Sequence, residues 1–404
     1  MKFARHTASA RSSARPSQWW LAPIVLVFAL AATFVALAAS RTSWLAWLEH
    51  SSGDWRTTAL SDRNTTQHKG VVLIAITEET LDAFPYRLPV DREFLARVVT
   101  AVDKAGAFSI GLDFLFVRPT EPAKDAALIA ALKQARTPVV IAAGDSRADL
   151  SPAQYAYQDE FIAKSGAKAG YANLLTAGDQ VVRYLAPPAD GGKFPLSFAE
   201  ELAARRAVQR SYSPRGPLGI PLPVPIGGEP IRIAWLLKPK DGSDTFPILP
   251  AHLIASPAAA ALTGLLKDRV AIIGTMIPDA DRHQTPLPEW ESGDTAGVFV
   301  QAQVVAQIID GRSIHHLSEA WLALLLFCLA LPAVIVARRY GFRTISLFSG
   351  VATLFVVLLD FAVFHFARQV IPFGACLTAL ALGAASGALL DRLVKRRHSN
   401  LPQG

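Results

Sequence analysis

Asp279, Asp281 and His283 alternate on a short stretch, "AIIGTMIPDADRHQTPL" (271–287), that starts as an apolar run and turns polar after Gly274. A carboxylate beside an imidazole can exchange protons, and two carboxylates with an imidazole can hold a metal ion. Arg282, set between them, adds charge-assisted hydrogen bonding. One further acid, Asp113, lies within the apolar run "AFSIGLDFLF" (107–116). In open parallel α/β sheets, ligands favour the crevice at the carboxyl ends of strands. Asp113, Asp281, Arg282 and His283 are therefore the candidate ligand-binding residues. The competing reading is a structural or capping loop, because polar residues after a strand are ordinary where loops meet water. Catalysis is not expected. The sequence holds no HExxH, no phosphate-cradling P-loop, no GxSxG elbow and no paired-cysteine metal signature. No metal or other cofactor is expected.

Those residues need strands to deliver them. "VVLIAI" (71–76) and "RVAIIGT" (269–275) are short, continuous apolar runs of the kind that make central strands. "AFSIGLDFLF" and "PVVIAA" (138–143) read as two more. Between them, Asp91 caps a helix whose Phe94, Leu95, Val98, Val99 and Val102 recur at three- and four-residue spacing, and Gly106 ends it. "DAALIAALKQA" (125–135) is helical as well. Strand, helix, strand, helix, strand predicts βαβ units and a largely parallel sheet. Further on, "VVRYLAP" and "IRIAWLL" read as strands, "LSFAEELAARRA" as a helix, and "GVFVQAQVVAQIIDG" as the closing helix. Ser211–Pro230, with six prolines, reads as an extended excursion. Arg183, inside a strand, is expected to pair with a neighbouring acid, and Arg56 to contact the domain from beside the first apolar span.

The chain of 404 residues is 51% hydrophobic and carries a formal charge of +7. The excess of bases is confined to the ends. Residues 1–40 hold four bases and no acid, and residues 321–404 hold eight bases and two acids. Of 40 bases and 33 acids, the middle keeps 28 and 31, which argues against nucleic acid as a partner. Four apolar spans are predicted as transmembrane helices at 19–39, 320–337, 345–366 and 370–390. Their flanks are a basic tail (1–18), the turn "RRYGFR" and a tail at 391–404, all rich in Lys and Arg. The positive-inside rule puts these flanks in the cytoplasm and residues 41–319 outside it. The length of the first span favours an uncleaved anchor over a signal peptide. Both cysteines, Cys328 and Cys376, fall in spans, so the exported region needs no disulfide. Asp360 lies within the third span, where an ionisable group needs a partner. His365, about 140° round the helix, is poorly placed to be that partner, and a hydrogen bond near the outer interface is expected instead.

The order of landmarks resembles the type-two CHASE domain, the cyclases/histidine kinases associated sensory extracellular family. "DWR" (54–56) follows the first span. "VVLIAITEETL", "GAFSIGLDFLF", "GYANLLTAGDQVVRYLAP" and "LLKDRVAIIGTMIPDADRHQTPL" are similar to successive family segments, and "GVFVQAQVVAQIIDGR" to the closing helix. The resemblance covers most of residues 45–315. Thr77 stands where the family commonly has an acid, and "FPYRLPVDR" where it has a tryptophan-rich Pro-x-Pro segment. Members commonly continue into a cytoplasmic cyclase or kinase, whereas here about fourteen residues follow the last span.

The resemblance implies an α/β extracytoplasmic domain with a largely parallel mixed sheet, plus four transmembrane α-helices. The expected function is a multi-pass inner-membrane sensor. Its exported domain, in the periplasm or outside the cell, detects a small ligand or an envelope protein. The spans then relay the signal through the lipid bilayer to a separate effector or membrane protein, encoded nearby. A structural or assembly partner in an envelope complex is the alternative, and a periplasmic hydrolase a distant third.

Overall fold

The computed structural model describes residues 21–42, 46–176, 178–209, 230–287 and 294–399. The basic N-terminal tail, the proline-rich excursion up to residue 229 and the last five residues lie outside this set. The chain divides into two compact units. One comprises Ser51–His316 with Phe361–Val370; the other comprises the described parts of Met1–His50, Leu317–Asp360 and Ile371–Gly404.

Six strands form the centre of the first unit: β1 (Val71–Ile76), β2 (Ser109–Leu112), β3 (Val139–Ala143), β4 (Lys168–Tyr171), β5 (Ile248–Pro250) and β6 (Val270–Thr275). They lie side by side in the order β5-β1-β6-β2-β3-β4, every pair parallel. A parallel sheet is covered on both faces, so its strands are apolar throughout rather than alternating with polar residues. All six residues of β1 are buried. Period-two geometry divides them: Val72, Ile74 and Ile76 join one core, Val71 and Leu73 the other. β6 divides likewise, with Ala271 and Ile273 against Val270 and Ile272.

The crossover helices cover one face. Arg92–Lys104 begins where the Asp91 side chain accepts the Phe94 N–H at 2.9 Å, and it buries Phe94, Leu95, Val98, Val99 and Val102. Pro122–Gln134 adds Leu128 and Leu132, and Pro152–Ser165 adds Phe161. The opposite face carries Phe198–Gln209 and the closing helix Gly297–Asp310. A small antiparallel sheet of Leu174–Thr176, Val182–Leu185 and Ile231–Arg232 stands beside it. These three antiparallel strands make the sheet content mixed.

The run at 107–116 does not stay extended throughout. β2 stops at Leu112, although the Asp113 N–H still reaches the Ile273 carbonyl (2.9 Å). Phe116 then turns into the helical face, stacking on Phe161 with centroids 4.3 Å apart beneath the Arg92 guanidinium.

The second unit contains four helices long and apolar enough to cross a membrane: Ala22–Ala39, Glu319–Arg339, Phe342–Ala367, which runs on into the first unit, and Phe373–Ser399. Each overlaps a predicted span, with ends shifted by up to nine residues. Pro332 sits inside Glu319–Arg339 without breaking it. Gly383 and Gly387 face that helix. A Cβ at Gly383 would approach the Ala330 carbonyl to 2.7 Å, so small residues set the close helix approach. Glu49 caps Phe373–Ser399, its carboxylate accepting the N–H groups of Phe373 (2.9 Å) and Gly374 (2.7 Å).

Candidate functional site

The carboxyl ends of β2, β3 and β6 open on one cavity of about 450 Å³. Asp113, Asp281, His283, Asn173 and Gln301 contribute polar groups to its wall. Leu88, Phe114, Leu115 and Leu174 contribute apolar ones. Asp113 enters because it is the first residue past β2. Gly274, near the end of β6, faces it: a Cβ there would stand 3.3 Å from the Asp113 Cβ and 2.6 Å from Val298. Only a glycine lets the closing helix and Asp113 approach β6 this closely.

Asp281 is held in the left-handed region, at φ 51°. Aspartate tolerates that region better than most residues, at a cost on the order of 1–2 kcal/mol. Its carbonyl accepts the Gly297 N–H at 2.8 Å. Its carboxylate lies against Gly297 itself, where a Cβ would come within 2.0 Å of Oδ2. The positive end of the closing helix thus faces a carboxylate, a favourable pairing. His283 Nε2 lies 3.0 Å from Asp281 Oδ1.

Burial, together with the charge of Asp281, pushes the Asp113 carboxyl up to about 8. Asp113 is half-buried, and no described side chain hydrogen-bonds to it. The Asp281 carboxylate itself is exposed, and its negative charge disfavours a second charge on Asp113.

Arg282 is separated from the other three. Arg282-His283 forms a two-residue strand against Thr295-Ala296, and successive side chains on a strand point to opposite faces. Arg282 accordingly lines a different, smaller cavity of about 170 Å³ with Lys238, Asp244 and Asp294. Asp279 is exposed on the loop. Among the described residues, no three His, Cys, Asp or Glu side chains converge as metal ligands do.

Arg183 carries the expected ion pairing. Arg183 is buried; its Nε and Nη2 donate to Asp54 at 2.7 and 2.5 Å, and its Nη1 and Nη2 to Asp179 at 2.9 and 2.8 Å. These two carboxylates outweigh desolvation and hold the guanidinium firmly charged. Arg56 is buried at 1% exposure, its guanidinium 5.9 Å from the Phe364 ring centre. Asp360 is buried and accepts the Ile371 N–H at 3.2 Å, a hydrogen bond to the connection after its own helix.

Two cavity residues escape sequence reasoning. Asn173 ends the "GYAN" segment, and its Oδ1 accepts the Asp145 N–H at 3.4 Å. Gln301 lies in the second turn of the closing helix at 2% exposure. Its signal was polarity out of place: Gln301, Gln303 and Gln307 interrupt an otherwise apolar helix, and all three are buried.

A parallel sheet with helices on both faces and a polar-lined cavity at its strand ends defines an α/β domain, in a chain with four long apolar helices. The chain belongs to the CHASE2 domain family, whose model matches residues 27–336. CHASE2 domains are sensory extracellular domains. No curated protein and no solved structure matches the chain.

Proposed function

We propose that this chain is a multi-pass membrane sensor whose domain at Ser51–His316 detects a signal outside the cytoplasm. The observation that carries this reading is the cavity at the carboxyl ends of β2, β3 and β6, with Asp113, Asp281 and His283 on its wall, inside a CHASE2 domain. The four apolar helices cross the inner membrane, and the basic residues at 338, 339 and 343 mark the cytoplasmic side. The domain then faces the periplasm or the cell exterior. It binds and does not catalyse. A shift at the cavity passes through the spans to a separate protein.

Membrane placement is tested with fusions. Alkaline phosphatase joined after Leu150 is active and joined after Arg339 is inactive; the reverse pattern contradicts the topology. Relay is tested by photocrosslinking from position 395, an exposed lysine near the end of Phe373–Ser399. A second protein is trapped in native membranes. Self-crosslinks alone, under every growth condition, favour a structural role.

One feature bears on the assembly alternative. Leu347, Val351, Leu354 and Leu358 form an exposed stripe on Phe342–Ala367 at heptad-like spacing. Lipid covers such a stripe in a sensor, and a partner helix covers it in an envelope complex.

A further inference from the structure

Three buried glutamines on one helix differ in a single respect. Gln303 Oε1 accepts the Leu236 N–H at 2.8 Å and its Nε2 donates to the Leu236 carbonyl at 3.0 Å. Gln307 Oε1 accepts the Ala234 N–H at 2.8 Å and its Nε2 donates to the Arg232 carbonyl at 3.1 Å. Both are saturated. Gln301 Nε2 donates to the Ala172 carbonyl at 3.1 Å, which fixes the orientation of the amide. Its Oε1 then has no donor among the described residues. A buried acceptor without a donor is costly, because it has given up its hydrogen bond to water and gained none. Gln301 and Ala172 both line the cavity that holds Asp113 and Asp281.

The cavity therefore has acceptors in excess: two carboxyls and an amide oxygen. No lysine or arginine is among its described lining residues. The rest of the wall is largely leucine, phenylalanine and alanine, suited to an apolar body. At about 450 Å³ the space falls within the range of small-molecule sites and far exceeds a bare ion. From this juxtaposition we infer that the cavity takes a small organic cation, with an N–H-bearing ammonium or guanidinium head at Asp113, Asp281 and Gln301 and a compact apolar body. The inference rests on the sensor reading and gives its site a ligand class. The head donates to both carboxylates and to Gln301 Oε1, while His283, already beside Asp281, orients that carboxylate.

The test uses the full-length chain in detergent micelles, with tyramine and agmatine as probes and binding read by calorimetry and by thermal midpoint. Tyramine or agmatine raises the midpoint with concentration. Asp113→Asn and Asp281→Asn each weaken binding by about tenfold or more, as does Gln301→Met, while the probe-free midpoint establishes that each variant is folded. The trimethylated form of tyramine, which has charge but no N–H, binds about tenfold more weakly than tyramine. Binding of neither amine at millimolar concentration overturns the inference. Equal binding to the three variants overturns it too, as does calcium ion producing the same variant-dependent shift. 4-Hydroxyphenylacetate, the carboxylate counterpart of tyramine, separates the two levels. If it binds and Ala143→Trp abolishes the binding, the cavity is a ligand site and the cation chemistry alone fails. Reversed phosphatase fusions instead remove the sensor reading itself.

Discussion

Two polar clusters within the same domain use similar residues to opposite ends. Around Arg183, one buried guanidinium meets the carboxylates of Asp54 and Asp179 through four hydrogen bonds. Donors and acceptors match there, and the cluster ties the helix Ala46–Leu60 to the small antiparallel sheet. Around Asp113 the balance fails. Asp113 and Asp281 line a cavity whose described lining holds no Lys or Arg, and the buried oxygen of Gln301, another lining residue, has no donor among the described residues. A saturated cluster stabilises a fold, because breaking it leaves a buried charge alone. An unsaturated one costs stability and persists where something else completes it, as strained or perturbed groups do at functional sites.

That contrast can be broken by substitution. Arg183→Met has the largest expected effect, a loss of about 2–4 kcal/mol in guanidinium unfolding followed by tryptophan fluorescence, since four charge-assisted hydrogen bonds are lost while water still reaches both carboxylates. A loss below about 1 kcal/mol would place Arg183 with weak surface pairs.

Asp113→Asn works in the opposite direction. A carboxyl raised from 3.8 to about 8 keeps its proton in the folded state while the unfolded chain ionises. Stability therefore falls as pH rises between those two values, and the full cost is present above about 8. Asparagine removes the cost, so the variant is more stable than the parent above that pH by about 3 kcal/mol, half of what the shift gives at about 1.4 kcal/mol per pH unit because water reaches the half-buried group, and by almost nothing near pH 4. A gain independent of pH would contradict the perturbed carboxyl.

The glutamines provide a finer comparison. Gln303→Leu strands both a buried N–H and a buried carbonyl at Leu236 and costs about 1–3 kcal/mol. Gln301→Leu strands only the Ala172 carbonyl and at the same time removes an unpaired acceptor, so its cost is below about 1 kcal/mol. Equal losses would remove the distinction between the two positions.

The parts legible in the sequence are those whose chemistry is local. β1 and β6 are continuous apolar runs because both of their faces are covered. Arg92–Lys104 shows its apolar spacing and its Asp91 cap. β4, "KAGY", and β5, "ILP", are short edge strands with no such run. Pro152–Ser165 buries mainly Gln158, Phe161 and Ser165, so its apolar period is faint, although Ser151 and Gln154 form a capping box around its start. Asp113, Asp281 and His283 could be placed at one sheet edge because each follows a strand end. Arg282 could not be separated from them, since nothing in "DRH" announces the two-residue strand that turns it away. The Arg183–Asp54 pair joins residues 129 apart, and the unsatisfied oxygen of Gln301 depends on what Ala172 does in space. Neither is written in any local pattern.

The central claim, that this acceptor-rich cavity receives a cationic signal, is tested most directly by counting protons. The full-length chain is titrated with tyramine at neutral pH by calorimetry in two buffers of different ionisation enthalpy. A cation seated at Asp113 favours its carboxylate, so the parent releases a proton on binding and the measured heat depends on the buffer, while Asp113→Asn shows no such dependence. Heats that are the same in both buffers for the parent, or buffer-dependent to the same extent in Asp113→Asn, would contradict it.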